Sequence, residues 1–255
     1  MTDKTVVISD IHSRQGKLET ILTDLGVLHK GARQPGFKLV QVGDAVSAGY
    51  GMKEAEFYRW WVSILTDDDV ELLGNHEAPI ILPYGDRLEF YGYRAGDGGT
   101  DGCDPELKVE VLARQNKYRI AHAVGDWLIT HAGVRSRYSR GLTAQETADK
   151  LNGLWDNEHV NWKQHSSHSC PICCPYSGCL WVRDLEKHAI NKARVKQIFG
   201  HTPDGPTLGR KGTIWNIDTP RLCKDMSRKE AEAWGGVAAL VTADDGENWK
   251  LHYVE

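Results

Sequence analysis

Thr5-Val6-Val7-Ile8-Ser9-Asp10-Ile11-His12 runs from four apolar or β-branched residues straight into two side chains able to bind a metal. A run this short and branched suits a strand. Asp10 and His12 stand two apart, so in extended backbone both side chains leave on the same side and can grip one ion. The pattern recurs along the chain. Phe37-Lys38-Leu39-Val40-Gln41-Val42 leads into Gly43-Asp44, and Val70-Glu71-Leu72-Leu73 into Gly74-Asn75-His76-Glu77. Trp127-Leu128-Ile129 leads into Thr130-His131-Ala132-Gly133, and Val195-Lys196-Gln197-Ile198-Phe199 into Gly200-His201-Thr202-Pro203. Ligands gather beyond the carboxyl ends of strands in an α/β sheet, so these loops can converge on one site.

The donors suit a metal. Two carboxylates, one amide and several imidazoles supply the oxygen and nitrogen atoms that Mn, Fe, Zn, Co or Ni accept. Asp44 is the natural bridge, since one carboxylate can offer an oxygen to each of two cations about 3.5 to 4 Å apart. Asn75 fits a second ion, adding an oxygen without charge and leaving His76 to face a substrate. Taken singly, each histidine could equally cap a loop or fill a core gap; the five loops together point to a metal site.

On these motifs the chain resembles the calcineurin-like metallophosphoesterases, and within them is most similar to the phosphoprotein phosphatase and bacterial diadenosine tetraphosphatase branch. Ser9-Asp10-Ile11-His12-Ser13 resembles G-D-x-H-G with serine at both glycine positions, and Gly74-Asn75-His76-Glu77 matches G-N-H-E. The resemblance implies an α/β fold in four layers, a β-sandwich of two mixed sheets flanked by helices. It implies one metal held by Asp10, His12 and Asp44 and another by Asp44, Asn75, His131 and His201, with His76 beside the leaving group and Glu77 structural. Manganese is the leading candidate for both ions. Diesterase-type relatives end in G-H-x-H; here that last position is Pro203, which favours the phosphatase-like branch.

One block departs from the family. G-D-x-x-D-R-G reads Gly43-Asp44-Ala45-Val46-Ser47-Ala48-Gly49, so Ser47 replaces the aspartate that pairs with the catalytic histidine and Ala48 replaces a phosphate-binding arginine. A guanidinium matches two phosphate oxygens in charge and geometry, and alanine offers neither. Leu180-Trp181-Val182-Arg183 resembles the family's W-x-R segment, which makes Arg183 a candidate catalytic residue; Arg14 is a possible substitute for the missing guanidinium. The function implied is two-metal hydrolysis of a phosphate ester, with a small phosphorylated molecule or a phosphopeptide as substrate. A phosphomonoesterase ranks first, a phosphodiesterase or dinucleoside polyphosphate hydrolase second, and a non-enzymatic, metal-stabilised interaction module is the rival of another class.

The rest of the chain sets bounds. Its 255 residues, 40% apolar, suffice for one core, so a single domain over 1–255 is expected, with a helical and loop elaboration over 78–119. A formal charge of −4 argues against nucleic acid as a bulk partner, and Arg135, Arg137 and Arg140 after the His131 loop could steer a small anion. No apolar stretch is long enough to cross a bilayer, and Val6-Val7-Ile8 comes too early for a signal peptide, so a cytoplasmic location is expected. Leu18, Ile21, Leu22 and Leu25 give helical spacing from Gly16 to Leu28. Glu54 to Leu65 reads as a second helix whose aromatics serve the core. Gly96 to Gly102 reads as a turn or loop without the pattern of a nucleotide-cradling loop. Asp245-Gly246 turns a terminal hairpin, which together with Thr213 to Asp218 suggests the edge of a second sheet.

Residues 165–179 hold four of the six cysteines. Cys170, Cys173 and Cys179, with His165 or His168, could hold a structural zinc. The adjacency of Cys173 and Cys174 leaves unligated thiols or a redox-sensitive pair as alternatives. The insert precedes Trp181 and Arg183 and is expected to border the site.

Overall fold

The computed structural model describes residues 4–46, 54–81, 104–158, 171–172, 178–182, 195–202, 207–208, 213–218 and 236–254. All five motif runs form strands: β1 (Lys4–Ile8), β4 (Phe37–Gln41), β5 (Val70–Glu71), β7 (Trp127–Thr130) and β8 (Lys196–Phe199). The remaining strands are β2 (Leu28–His29), β3 (Ala32–Arg33), β6 (Ala121–Val124), β9 (Thr207–Leu208), β10 (Ile214–Asn216), β11 (Val237–Thr242) and β12 (Lys250–Val254).

These strands make two mixed sheets, ordered β12-β11-β1-β4-β5 and β6-β7-β8-β10-β9, beside a small β2-β3 hairpin. In the first, β1, β4 and β5 are parallel, with Ile8 opposite Gln41 and Gln41 opposite Glu71. In the second, β7, β8 and β10 are parallel. Parallel strands end at the same side of a sheet, which brings the motif loops together in two groups.

Side-chain alternation divides the core. Val7, Val40, Leu72, Ala238 and Leu240 of the first sheet and its following loops meet Trp127, Ile129 and Ile198 of the second in one buried cluster. Val6, Ile8 and Leu39 point the other way, into a cluster shared with the helices. There α1 (Gln15–Asp24) contributes Leu18, Ile21 and Leu22, and α2 (Glu54–Ile64) contributes Phe57, Tyr58 and Trp61. After the short α5 (Ser136–Ser139), helix α6 (Ala144–Glu158) packs on β6 and β7. Its Asn152 side chain binds the backbone of Ile120 and Ala121, accepting at 2.9 and 3.2 Å and donating to Ala121 O at 2.9 Å. The aromatics of α2 are thus core residues, as their spacing predicts.

Two expectations change. The first helix ends at Asp24 rather than reaching Leu28, because Gly26 takes φ +75° and closes the helix before Leu28 enters β2. The terminal hairpin β11-β12 does not join Thr213–Asp218 at a second sheet edge: β11 pairs antiparallel with β1, whereas β10 pairs with β8 in the other sheet. Over 78–119, the described parts form short α3 (Ala78–Ile81) and α4 (Pro105–Ala113), the latter capped by Asp104 accepting Glu106 N–H at 2.9 Å. Gly96 to Gly102 lies outside the described residues. Among the described residues no helix is long and apolar enough to cross a membrane.

Ile129, fully buried between the sheets, and Leu251, 38% exposed on β12, predict opposite sensitivities. Ile129→Ala should cost about 2–5 kcal/mol in urea unfolding. Leu251→Ala should stay within about 0.5 kcal/mol.

Candidate metal centre

Each motif loop follows a strand that the sheets hold in register, and close backbone contacts then lock the loops to one another. Asp44 takes φ +56°, and its carbonyl accepts the N–H groups of both Ile11 and His12 at 3.0 Å. Its Oδ1 accepts His76 N–H at 2.9 Å. Across the sandwich, His201 N–H donates to Asp10 Oδ2 at 3.0 Å, and within the second sheet Gly200 N–H donates to His131 O at 2.8 Å. The two glycines are required by distance. A Cβ on Gly74 would fall 2.1 Å from Asp44 N, and one on Gly200 would fall 1.9 Å from Asp10 Oδ1.

These locks assemble two groups of potential ligands that share Asp44: His12 with Asp44 and His76, and Asp44 with His131 and His201, the ligand atoms of each lying within 4.8 Å of one another. Asp44 divides its oxygens between them. Oδ2 lies 3.6 Å from His12 Nε2 and 3.8 Å from His76 Nε2, while Oδ1 lies 3.6 Å from His131 Nε2. Asp10 flanks the first group, with Oδ2 3.9 Å from His12 Nε2. Asn75 centres the second, its Oδ1 2.8 Å from His131 Nε2 and 2.7 Å from His201 Nδ1.

The donor chemistry fits cations. His131 Nδ1 lies 3.1 Å from the carbonyl of Val42, which can only accept, so that nitrogen carries the proton. In the neutral ring Nε2 then presents a lone pair to Asn75 Oδ1. Two acceptors that close repel unless a cation or a second proton lies between them. Asp10 and Asp44 are also buried carboxylates, 0% and 1% exposed, and such charges ask for a counter-charge.

Glu77 is placed behind the centre. It is fully buried, its Oε2 accepting Asp44 N–H at 3.0 Å and Gly74 N–H at 3.1 Å and its Oε1 accepting Val46 N–H at 3.0 Å. Burial first, then the charge of Asp44, raises its carboxyl above the usual range, and the N–H donors work against that. Sequence reading missed two further clamps. Gln41 binds Gly43 through both ends of its amide, at 2.5 and 2.9 Å, and Gln197 does the same to Val134, at 2.7 and 3.1 Å. A glutamine adjoining the apolar residues of each strand run was the available signal.

The end of the cysteine insert and the residues just after it abut the second group. Ala132 N–H donates to Cys179 O at 2.7 Å, and the Trp181 ring stands edge-on to His201 with centroids 6.2 Å apart. Arg183, Ser47, Ala48, Pro203, Cys170, Cys173, Cys174, His165 and His168 lie outside the described residues. Arg14 donates to Gly236 O at 3.4 Å, and Arg137 lies over the Tyr138 ring, 4.6 Å from its centroid.

With this geometry in view, the sequence matches the calcineurin-like phosphoesterases over residues 4–205. The chain belongs to that family. No curated protein matches this chain significantly. Among solved structures, a cold-active protein-tyrosine phosphatase of a psychrophilic Shewanella species is 17% identical with a TM-score of 0.59, the match covering 100% of this chain and 81% of that one. A putative diadenosine tetraphosphatase is 14% identical at TM-score 0.53, covering 100% and 94%. A protein serine/threonine phosphatase from Saccharomyces cerevisiae is 16% identical at TM-score 0.57, covering 100% and 80%. At these identities the likeness is one of fold.

Gly74→Ala tests the close approach. It should destabilise the protein by about 1–3 kcal/mol through overpacking. By displacing Asp44 it should also weaken metal binding in both groups, read by calorimetric titration.

Proposed function

We propose that this protein hydrolyses phosphate esters at a two-metal centre, with phosphomonoesters, as small molecules or phosphopeptides, its first substrate class. The observation that carries this reading is the division of Asp44, one oxygen toward each ligand group. Asp10, His12 and Asp44 would hold one ion, and Asp44, Asn75, His131 and His201 the other. Two divalent cations held there, manganese first among them, supply positive charge for the phosphoryl oxygens and lower the pKa of an attacking water.

The chain's own residues do the rest. The His76 side chain is 12% exposed, against 5% for His12 and 0% for His131, so among these three imidazoles it is the most open to a bound substrate. In this reading it gives a proton to the leaving ester oxygen as the phosphorus–oxygen bond breaks, while the attacking water loses its proton to solvent. No protein nucleophile is required. Arg183, two residues past the Trp181 that adjoins His201, is the candidate phosphate-binding cation. Pro203 in place of a further histidine supports the phosphatase-like branch.

A second reading rests on Ala48. Without the guanidinium that binds a dianionic monoester, a phosphodiester or a dinucleoside polyphosphate, with less charge at the scissile phosphorus, becomes the competing substrate. Rates on p-nitrophenyl phosphate and bis-p-nitrophenyl phosphate with manganese separate the two classes, and failure on both removes the enzymatic reading.

Two measurements test the centre. Beyond any zinc in the cysteine insert, the wild type should bind two ions per chain, Asn75→Ala one, and Asp44→Asn close to none by elemental analysis after reconstitution; full activity with one ion would overturn the two-metal reading. Ala48→Arg should raise kcat/KM on the monoester by roughly tenfold, as a charge-assisted bidentate contact would, and on the diester by less. Equal gains would transfer the first rank to the diester.

A further inference from the structure

His12 and Ser13 take φ +47° and +59° in succession, a left-handed pair that residues other than glycine rarely adopt. The pair matters because it turns His12 toward Asp44: His12 N–H donates to Asp44 O at 3.0 Å and Ser13 N–H to Ala45 O at 2.8 Å. The motif this segment resembles has glycine at position 13, where the conformation carries no steric penalty. Ser13 carries that penalty and has a contact that glycine lacks. Its hydroxyl donates to Glu54 Oε1 at 3.1 Å.

Glu54 is an unusual partner. It is the first residue of α2 yet only 1% exposed. A carboxylate is tolerated at that end because the helix dipole favours negative charge there. This contact ties α2 to the loop that carries His12, across 41 residues of sequence.

We propose that Glu54 is a positioning residue: by accepting the Ser13 hydroxyl it holds the left-handed turn that presents His12 to the first ion. The proposal deepens the two-metal reading, since it concerns the same centre, and it concerns the hydrogen-bond acceptor at Glu54 rather than its charge. Serine and glutamate together then do what glycine's conformational freedom does alone.

Five variants test this: Ser13→Ala, Ser13→Gly, Glu54→Ala, Glu54→Gln, and Glu54→Ala in the Ser13→Gly background. Amide hydrogen exchange at His12 and Ser13 is read in the metal-free protein, and cobalt(II) affinity is read from visible absorption. Ser13→Ala and Glu54→Ala should each speed exchange of those amides and weaken cobalt binding by roughly tenfold, about 1.4 kcal/mol. Glu54→Gln keeps an acceptor oxygen and should stay near wild type. Ser13→Gly should bind cobalt normally, and adding Glu54→Ala to it should change nothing further.

Unchanged exchange in Ser13→Ala would overturn the proposal. So would an equal loss from Glu54→Ala in the wild-type and Ser13→Gly backgrounds, since Glu54 would then act by another route. If the wild type binds no cobalt at all, the two-metal reading fails, while the exchange rates of the metal-free protein still decide whether Glu54 holds the turn.

Discussion

Buried carboxylates satisfied by the backbone N–H groups of neighbouring loops are the constraint on which the centre depends. Asp10, Asp44 and Glu77 are each no more than 1% exposed. An ion so removed from water is costly unless hydrogen-bonded, so each carboxylate fixes whatever donor it finds. Asp10 takes the N–H of His201 from the opposite sheet, Asp44 takes that of His76, and Glu77 takes those of Gly74, Asp44 and Val46. The groups that would bind cations therefore also fasten the loops that carry them.

This arrangement leaves negative charge concentrated at one end of the sandwich. The N–H donors offset part of it, yet the carboxyl of Glu77 is still pushed upward by burial and by Asp44. Cations between the two ligand groups would complete the compensation. The same logic accounts for the tightness of the backbone: Gly74 and Gly200 leave no space for a Cβ because a carboxylate must reach a backbone donor directly behind it.

The Gln41 and Gln197 amides extend this control away from the charges. Each mimics a strand partner for a loop that has left its sheet, so the turns after β4 and β7 stay ordered without further secondary structure. Such rigidity matters because displacement of a reacting group by about 1 Å is enough to lower a rate steeply.

The sequence alone determined the strands and the ligand types. β-branched runs followed by Asp10, Asp44, Asn75, His131 and His201 are local patterns, and the pleat and the parallel α/β arrangement carry them to one edge. The helix over α2 was legible for the same reason, since its aromatic spacing is local. The tertiary structure decided what depends on closure between distant segments. Only register places β11 beside β1 rather than beside β10, and only the meeting of the sheets sets Asp44 between His12 and His131. The partners of Glu77, Gln41 and Gln197 were not legible for a related reason: a polar side chain beside an apolar run announces that it has a partner, and only folding chooses which one.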